Sequence, residues 1–435
     1  MNAPARTWVD NVSWLDDLPE GWEATTVRRV TTFRDIRNGG HDDRLLSLSA
    51  YTGVRDKELD DENRARTGED LAKYWQVEPT LLVVNPMWLN HGSVAVSDVS
   101  GVISPDYRVY ELRDDLLPRF AHYVFRSSVY RSLYGVLTRG HTTYDRRISK
   151  DDFASLPFAV PPMAYQRAIA NFLDEKTAAI DALIEKKERL IALLAEKRAA
   201  LIHQAVTKGL DSTVPMKPSG IPWIGDIPAH WSVSALRWIR KPGTAITYGI
   251  VQAGPDVPGG IPYIRVSEMS GRELPREGYQ RTSPEIDRSY RRSKVFAGDL
   301  VVAIRASIGK TLRVPSWLDG ANLTQGTAKV SVCEDVSSSY VFWVMNSEAT
   351  SAALGAASKG ATFKEITLET LRKLQFALPP RAEQEEVVSF LRREAGKLDS
   401  CAERIESQVL RLQEYRQALI TAAVTSQLDI PGAAA

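Results

Sequence analysis

The chain has 435 residues, 43% hydrophobic and 25% charged, which is too long for one ordinary domain and too apolar for a disordered protein. Its formal charge of +1 gives a polyanion-binding protein no global support, and its two cysteines, Cys333 and Cys401, stand far apart without metal-ligand spacing, so neither a zinc site nor a disulfide framework organises it. No apolar run approaches the ~20 residues that cross a bilayer, and MNAPARTWVDNV lacks the plan of a signal peptide; a cytoplasmic protein without membrane contact is expected.

In chain order, the stretch VSWLDDLPEGW comes first, its proline and glycine marking punctuation. Short β-branched and aromatic runs follow: TLLVVNPMW, GSVAV and YRVYEL read as strands, and RFAHYVFRSSVYRSLY as a helical patch. A loop, LTRGHTTYDRRIS, precedes LPFAVPP. A long periodic segment then runs to Gly209, a plausible helix stop.

The order then repeats. IPWIGDIPAHW packs two tryptophans and two prolines into eleven residues and cannot lie inside a helix or a central strand. Its Trp223, Ile224, Asp226, Pro228 and Trp231 match Trp14, Leu15, Asp17, Pro19 and Trp22 at an offset of 209. PYIRV, DLVVAI, KTLRV and AKVSV read as strands, SYVFWVMNSEATSAAL as helical, ASKGATFKEIT as a loop, and LQFALPP introduces a second periodic segment. LPFAVPPMAYQRAIANFLDEK aligns with LQFALPPRAEQEEVVSFLRRE, and EKRAALIHQAVTKGL with EYRQALITAAVTSQL, both at an offset of 218. The chain is a tandem duplication, and the tryptophan-proline words mark where each copy begins.

The periodic segments carry a 3.5-residue seam. In the second, Leu391, Ala395, Leu398, Ala402, Ile405, Val409, Leu412, Arg416, Leu419 and Ala423 alternate steps of four and three; in the first, Leu173, Thr177, Ile180, Ile184, Lys187, Ile191, Leu194, Arg198, Leu201 and Ala205 do the same. Two helices of ~44 residues, about 65 Å each at ~1.5 Å per residue, are expected to pack on each other. The expected organisation is a mixed unit over 1–160, a long helix over 161–209, a linker over 210–226, a second mixed unit over 227–378, a second long helix over 379–428, and a tail over 429–435. That is an α+β protein with pseudo-twofold duplication and an antiparallel coiled coil.

Few residues suggest catalysis. ASIGKT ends like a phosphate-binding loop, but Ile304 stands where the pattern needs glycine; NPMW lacks the second proline of an Asn-Pro-Pro-aromatic signature. His41, His91, His122, His141, His203 and His230 are scattered without metal spacing. What recurs is a basic-Gly-x-Thr loop ahead of each long helix: Arg139, Gly140, His141, Thr142, Thr143, Tyr144, Arg146 and Arg147 in the first copy, Lys359, Gly360, Thr362, Phe363 and Lys364 in the second. Arginine or lysine can meet a phosphate or a guanine edge, and glycine allows close approach. The same pattern also suits a loop that closes each domain onto its helix. Arg265, Arg305 and Lys310, near the ends of strand-like runs, complete the candidate DNA-facing set. Residues 227–378 hold 19 basic against 13 acidic side chains, whereas the first copy is about neutral.

SGIPWIGDIPAHW, GIPYIRVSEM, FAGDLVVAIRASIGK, ANLTQG and LPPRAEQEEVVSFL, with NPMWLNHGSVAVSDVSGVISPDYRVYEL and VPPMAYQRAIANFLDEK, resemble the specificity subunit of type I restriction-modification systems over nearly the whole chain. The resemblance implies two target recognition domains, each reading one half of a bipartite sequence in double-stranded DNA, with two antiparallel helices as a spacer between them. It implies no catalysis and no cofactor in this chain. Two modification subunits would methylate adenine with S-adenosylmethionine, and ATP- and magnesium-dependent restriction subunits would join them. A specificity-type subunit of another methyltransferase-based defence system, or a coiled-coil scaffold without DNA binding, is the alternative.

Overall fold

The computed structural model describes residues 13–15, 18–39, 44–50, 52–57, 71–138, 147–358 and 365–430. They form two units, Met1–Glu188 with Ser407–Ala435, and Arg189–Glu406. Neither unit is one continuous half of the duplication, because each long helix gives its first part to one unit and its last part to the other.

In the first unit, ten strands are short: β1 (Glu23–Thr26), β2 (Thr31–Phe33), β3 (Leu46–Ser49), β4 (Gly53–Asp56), β5 (Trp75–Val77), β6 (Leu82–Val84), β7 (Val94–Val96), β8 (Gly101–Ile103), β9 (Arg108–Leu112) and β10 (Pro157–Val160). The central sheet has the order β2-β9-β6-β7, and all its pairings are antiparallel. Its middle strand β6 is buried throughout, as expected for Leu-Val-Val covered on both faces. Helices α1 (Pro118–Arg126) and α2 (Ser128–Leu137) pack beside it, split where Ser127 turns extended and its side chain caps α2 at the Tyr130 amide. Helix α3 (Lys150–Ala154) leads into β10, which pairs with β1.

The second unit repeats this plan. Its central sheet has the order β14-β20-β17-β18, from β14 (Thr247–Tyr248), β17 (Leu300–Ala303), β18 (Thr311–Arg313) and β20 (Thr327–Val330). The closing pair is β13 (Ser232–Ala235) with β21 (Gln375–Leu378). A smaller sheet joins β15 (Ile261–Ile264), β16 (Arg281–Thr282) and β19 (Asn322–Leu323). The helices are α5 (Pro284–Ser289), α6 (Ser338–Met345), α7 (Glu348–Ala356) and α8 (Leu368–Lys373). The tryptophan-proline word forms an edge hairpin, β11 (Met216–Pro218) with β12 (Asp226–Pro228), where proline costs no ladder bond to a further strand. Its Trp231 is 1% exposed, and the indole N–H donates to Glu383 Oε2 at 2.8 Å. Gly209, at φ +76°, lies so close that a Cβ there would stand 3.1 Å from the Trp231 ring.

The long helices are α4 (Met163–Thr207) and α9 (Arg381–Val424). All twenty seam positions are buried or half-buried, while Leu183, Leu190, Leu193 and Leu410, off the seam, are exposed. In the first unit Arg416 clasps Asp181 (2.8 and 3.1 Å) and Lys187 donates to Gln408 (2.6 Å), so the helices run antiparallel there. In the second, Arg198 pairs with Asp399 at 3.0 Å. Each helix starts on a glutamine lock. Gln166 accepts the Leu117 amide at 2.7 Å and donates to the Asp115 and Pro161 carbonyls; Gln384 accepts the Ser337 amide at 2.8 Å and donates to Pro379. Among the described residues no helix is long and apolar enough to cross a membrane.

Candidate nucleic-acid interface

In each unit the end of the buried central strand holds the far end of the basic-Gly-x-Thr loop. In the first, β6 ends in Asn85-Pro86-Met87-Trp88, a tight turn in which Asn85 Oδ1 accepts the Met87 amide (3.1 Å) and the Asn85 carbonyl the Trp88 amide (3.2 Å). The Ile148 amide donates to the Pro86 carbonyl at 3.0 Å, and buried Arg108 donates from Nη2 to the Ile148 carbonyl at 2.8 Å. Burial holds the Arg108 pKa below its ordinary value. Ser149 then caps α3 through the Asp152 amide (2.9 Å).

The second unit makes the same joint. The Ile366 amide donates to the Ile304 carbonyl, just beyond β17, at 3.0 Å, and Thr367 caps α8 through the Thr370 amide (3.1 Å). Ile148 and Ile366 are 1% and 2% exposed, so each pins its loop by burial as well as by hydrogen bond. ASIGKT is the turn of the β17–β18 hairpin, with Ala306 at φ +56° and Gly309 at φ +84°. It is not followed by the helix that a phosphate-binding loop requires.

The loop residues themselves, Arg139, Gly140, His141, Thr142, Thr143, Tyr144, Arg146, Lys359, Gly360, Thr362, Phe363 and Lys364, lie outside the described residues. Arg147 is exposed and donates to the Asp106 carbonyl at 3.3 Å. Arg305 stands beside the second loop and pairs with Glu365 (2.7 Å). Lys310 donates to the Ser270 carbonyl (2.6 Å). Arg265 caps the turn at Val266–Met269 by gripping Glu268, whose hydrogen bonds raise the arginine pKa. Each of these three cations is engaged within its own unit. Arg305 adjoins the loop, whereas Arg265 and Lys310 form local structure.

The structure adds a basic segment that motif reading passed over, RSYRRSK from Arg288 to Lys294. It is held by a buried polar network: Asp287 pairs with Lys294 (2.8 Å) and accepts from Asn322 (3.0 Å), Asn322 accepts from Ser293 (2.6 Å), and Lys329 donates to the Lys294 carbonyl (2.6 Å). Asn322 is fully buried, Ser293 2% exposed and Asp287 5%. On this base Arg291 and Arg292 are exposed and make no hydrogen bond or ion pair among the described residues. The signal was the density of basic side chains itself, since the seven residues from Arg288 to Lys294 hold four of the 19 basic side chains of residues 227–378, Arg288, Arg291, Arg292 and Lys294, and no acidic one. Rigidly based, solvated guanidiniums suit phosphate contact. Among the described residues no group of three or more His, Cys, Asp and Glu side chains is placed to hold a metal ion.

Residues 252–408 match the family model of the type I restriction modification DNA specificity domain. The chain is 27% identical over 274 residues to the type I restriction enzyme EcoBI specificity subunit of Escherichia coli, covering 62% of this chain and 58% of that relative. It is 20% identical over 443 residues to the putative type I restriction enzyme MjaX specificity subunit of Methanocaldococcus jannaschii, covering 96% of each. A chain from a solved structure of a type I R-M system superposes with a TM-score of 0.65 at 15% identity, over 95% of this chain and 100% of that one.

Proposed function

We propose that the chain, which resembles the type I restriction-modification specificity subunits, is one of them and reads a bipartite sequence in double-stranded DNA, one half through each unit, for modification subunits that methylate adenine. It is a recognition subunit, not an enzyme. The observation that carries the bipartite reading is the repeated joint at Ile148 and Ile366, the described residues just after the basic stretch of each unit, which bond to the end of the corresponding central strand in both. A loop seated on a buried strand presents its side chains with less freedom than a tail would, which is what base discrimination needs. Two non-identical loops then read two different half-sites.

In this reading the basic loops, with Arg147 and Arg305 beside them, face base edges, and Arg291 and Arg292 hold phosphates. S-adenosylmethionine belongs to two modification subunits, and ATP with magnesium to restriction subunits. The long helices set the half-site separation. The test is methylome sequencing of a host carrying this chain with its modification subunit. Two short specified blocks flanking an unspecified spacer are expected; a continuous target, or no chain-dependent methylation, would overturn the reading.

A further inference from the structure

The two copies differ in charge where the helix beside the central sheet meets the long helix. In the first copy Arg119, in the first turn of α1, pairs with Asp174 on α4, and Tyr123 donates to the same carboxylate at 2.5 Å. The second copy has other residues at these places. Ser339 matches Arg119, because Leu117 and Ser337 take the two glutamine bonds and Ser127 and Ser347 cap the next helix, with the same spacing in each copy. Arg392 matches Asp174, at the offset of 218 that the long helices share. Arg313 matches Val96, since Val96 lies opposite Leu82 of β6 and Arg313 opposite Leu300 of β17. An arginine, a carboxylate and a valine in one copy are thus a serine and two arginines in the other.

The two arginines converge on one oxygen. Arg313 Nη2 donates to Ser339 Oγ at 2.8 Å, and Arg392 Nη2 donates to the same Oγ at 3.1 Å. Neither guanidinium forms an ion pair with a carboxylate among the described residues. Burial, then Arg392, hold Arg313 below the ordinary arginine value. A hydroxyl is a neutral acceptor, so it orients both guanidiniums and cancels the charge of neither. Each guanidinium has five N–H donors and spends one of them here. Arg392 is exposed, while Arg313 and Ser339 are half-buried, so the cluster opens to solvent on the Arg392 side. Like charges this close repel, and an anion between them offsets that cost.

We propose that Arg313, Arg392 and Ser339 bind a phosphate group, which takes the place that the Asp174 carboxylate fills in the first copy. Two guanidinium forks aimed at one point match the several oxygens of a phosphate better than a halide or a nitrate of single charge. Leu300, opposite Arg313, begins β17, whereas Ile366 bonds just beyond the far end of that strand at Ile304. The site is therefore separate from the joint that follows the basic stretch. Arg313 comes from β18, Ser339 from α6 and Arg392 from α9, so an occupant ties the sheet to both helices within the second unit. Free inorganic phosphate and the phosphate of a DNA backbone offer the same chemistry, and the test separates them.

The test uses the full chain in chloride buffer at constant ionic strength, with inorganic phosphate as probe and nitrate as control, read by calorimetry and by the shift in melting temperature. Phosphate is expected to bind at about 1 mM or tighter, with nitrate at least about tenfold weaker. Arg392→Met should weaken phosphate by about tenfold or more. Arg392→Asp gives α9 the carboxylate that α4 carries at Asp174. Its melting temperature without phosphate should exceed that of the unaltered chain, and added phosphate should no longer raise it. A variant that gains stability cannot owe its lost response to a failure to fold. A second arm titrates duplex DNA at two salt concentrations with the complex of this chain and its modification subunit. There Arg392→Met lowers the slope of log K against log salt by about 1 if a backbone phosphate is the occupant, and leaves it unchanged if the phosphate is free. The proposal is overturned if phosphate at about 10 mM moves neither readout and the slope is also unaltered. It is equally overturned if nitrate binds as well as phosphate, or if Arg392→Met binds phosphate as the unaltered chain does.

Discussion

Gln384 accepts the amide of Ser337 at 2.8 Å, joining the first turn of α9 to the start of α6, and Gln166 makes the same bond to Leu117 at the start of α1, 218 positions earlier. Both side chains are almost fully buried, at 2% and 0% exposure. Gln384→Leu keeps the volume and strands one amide and one carbonyl, so a loss of about 2–4 kcal/mol is expected at one or two unsatisfied buried groups of ~1–3 kcal/mol each. Urea denaturation followed by circular dichroism measures it. An unchanged midpoint would show that water satisfies these groups.

The caps beside the pinned isoleucines separate the two half-sites. Ser149→Ala and Thr367→Ala each remove one N-cap, worth about 1 kcal/mol, and loosen the adjoining loop. The first should relax base preference in one half-site, the second in the other, when the complex with its modification subunit binds variant duplexes. Relaxation of both half-sites by one substitution would contradict the division of labour.

Arg291 and Arg292 predict a salt effect without a sequence effect. Replacing either by alanine should weaken binding to all duplexes alike and lower the slope of log K against log salt by about 1 for each phosphate the arginine had neutralised. Titrations at two salt concentrations read this directly. A changed base preference would instead place the arginine in a groove.

Stability should fall with acid through His122. Its pKa in the folded chain is about 4, below the ordinary 6.5, because burial and then Arg126 disfavour the charged ring, with Arg416 adding to this and the Val96 carbonyl and Asp98 opposing it. Between these values the unfolded chain binds the proton more readily, so the neutral ring's contribution is full above about pH 6.5 and is lost as pH falls toward 4, roughly 3 kcal/mol in all. His122→Gln should flatten that part of the curve of melting temperature against pH. An unaltered acid limb would assign it to carboxylates.

The seam was legible because a 3.5-residue period admits one structure, and every seam position from Leu173 to Ala423 is protected. The runs containing Leu82–Val84 and Leu300–Ala303 were legible for a related reason, since continuous β-branched stretches between turn residues mark covered strands. The closing pairs β1 with β10 and β13 with β21 were not, because their partners lie more than 130 residues apart and β10 begins on a proline. Gln166 and Gln384 stood inside the aligned words, but composition says nothing of the carbonyls they reach. For the same reason, basic side chains at strand ends looked equivalent, although Arg265 folds back on Glu268 and Lys310 on Ser270 while Arg291 stays solvated. A charge count cannot tell a cap from a contact.

The sharing of the long helices between units fixes an order of maturation on the ribosome. The second unit is one continuous stretch, Arg189–Glu406, and can close as soon as it has emerged. The first unit begins earlier, yet its core includes Leu419, Ile420, Ala423, Val424 and Ile430. At ~5–20 residues per second, its apolar face waits about 10 seconds or more after Glu188 has been made before those residues arrive. The half synthesised first is thus the half completed last, and while it waits it is the part of the nascent chain that a chaperone would be expected to hold.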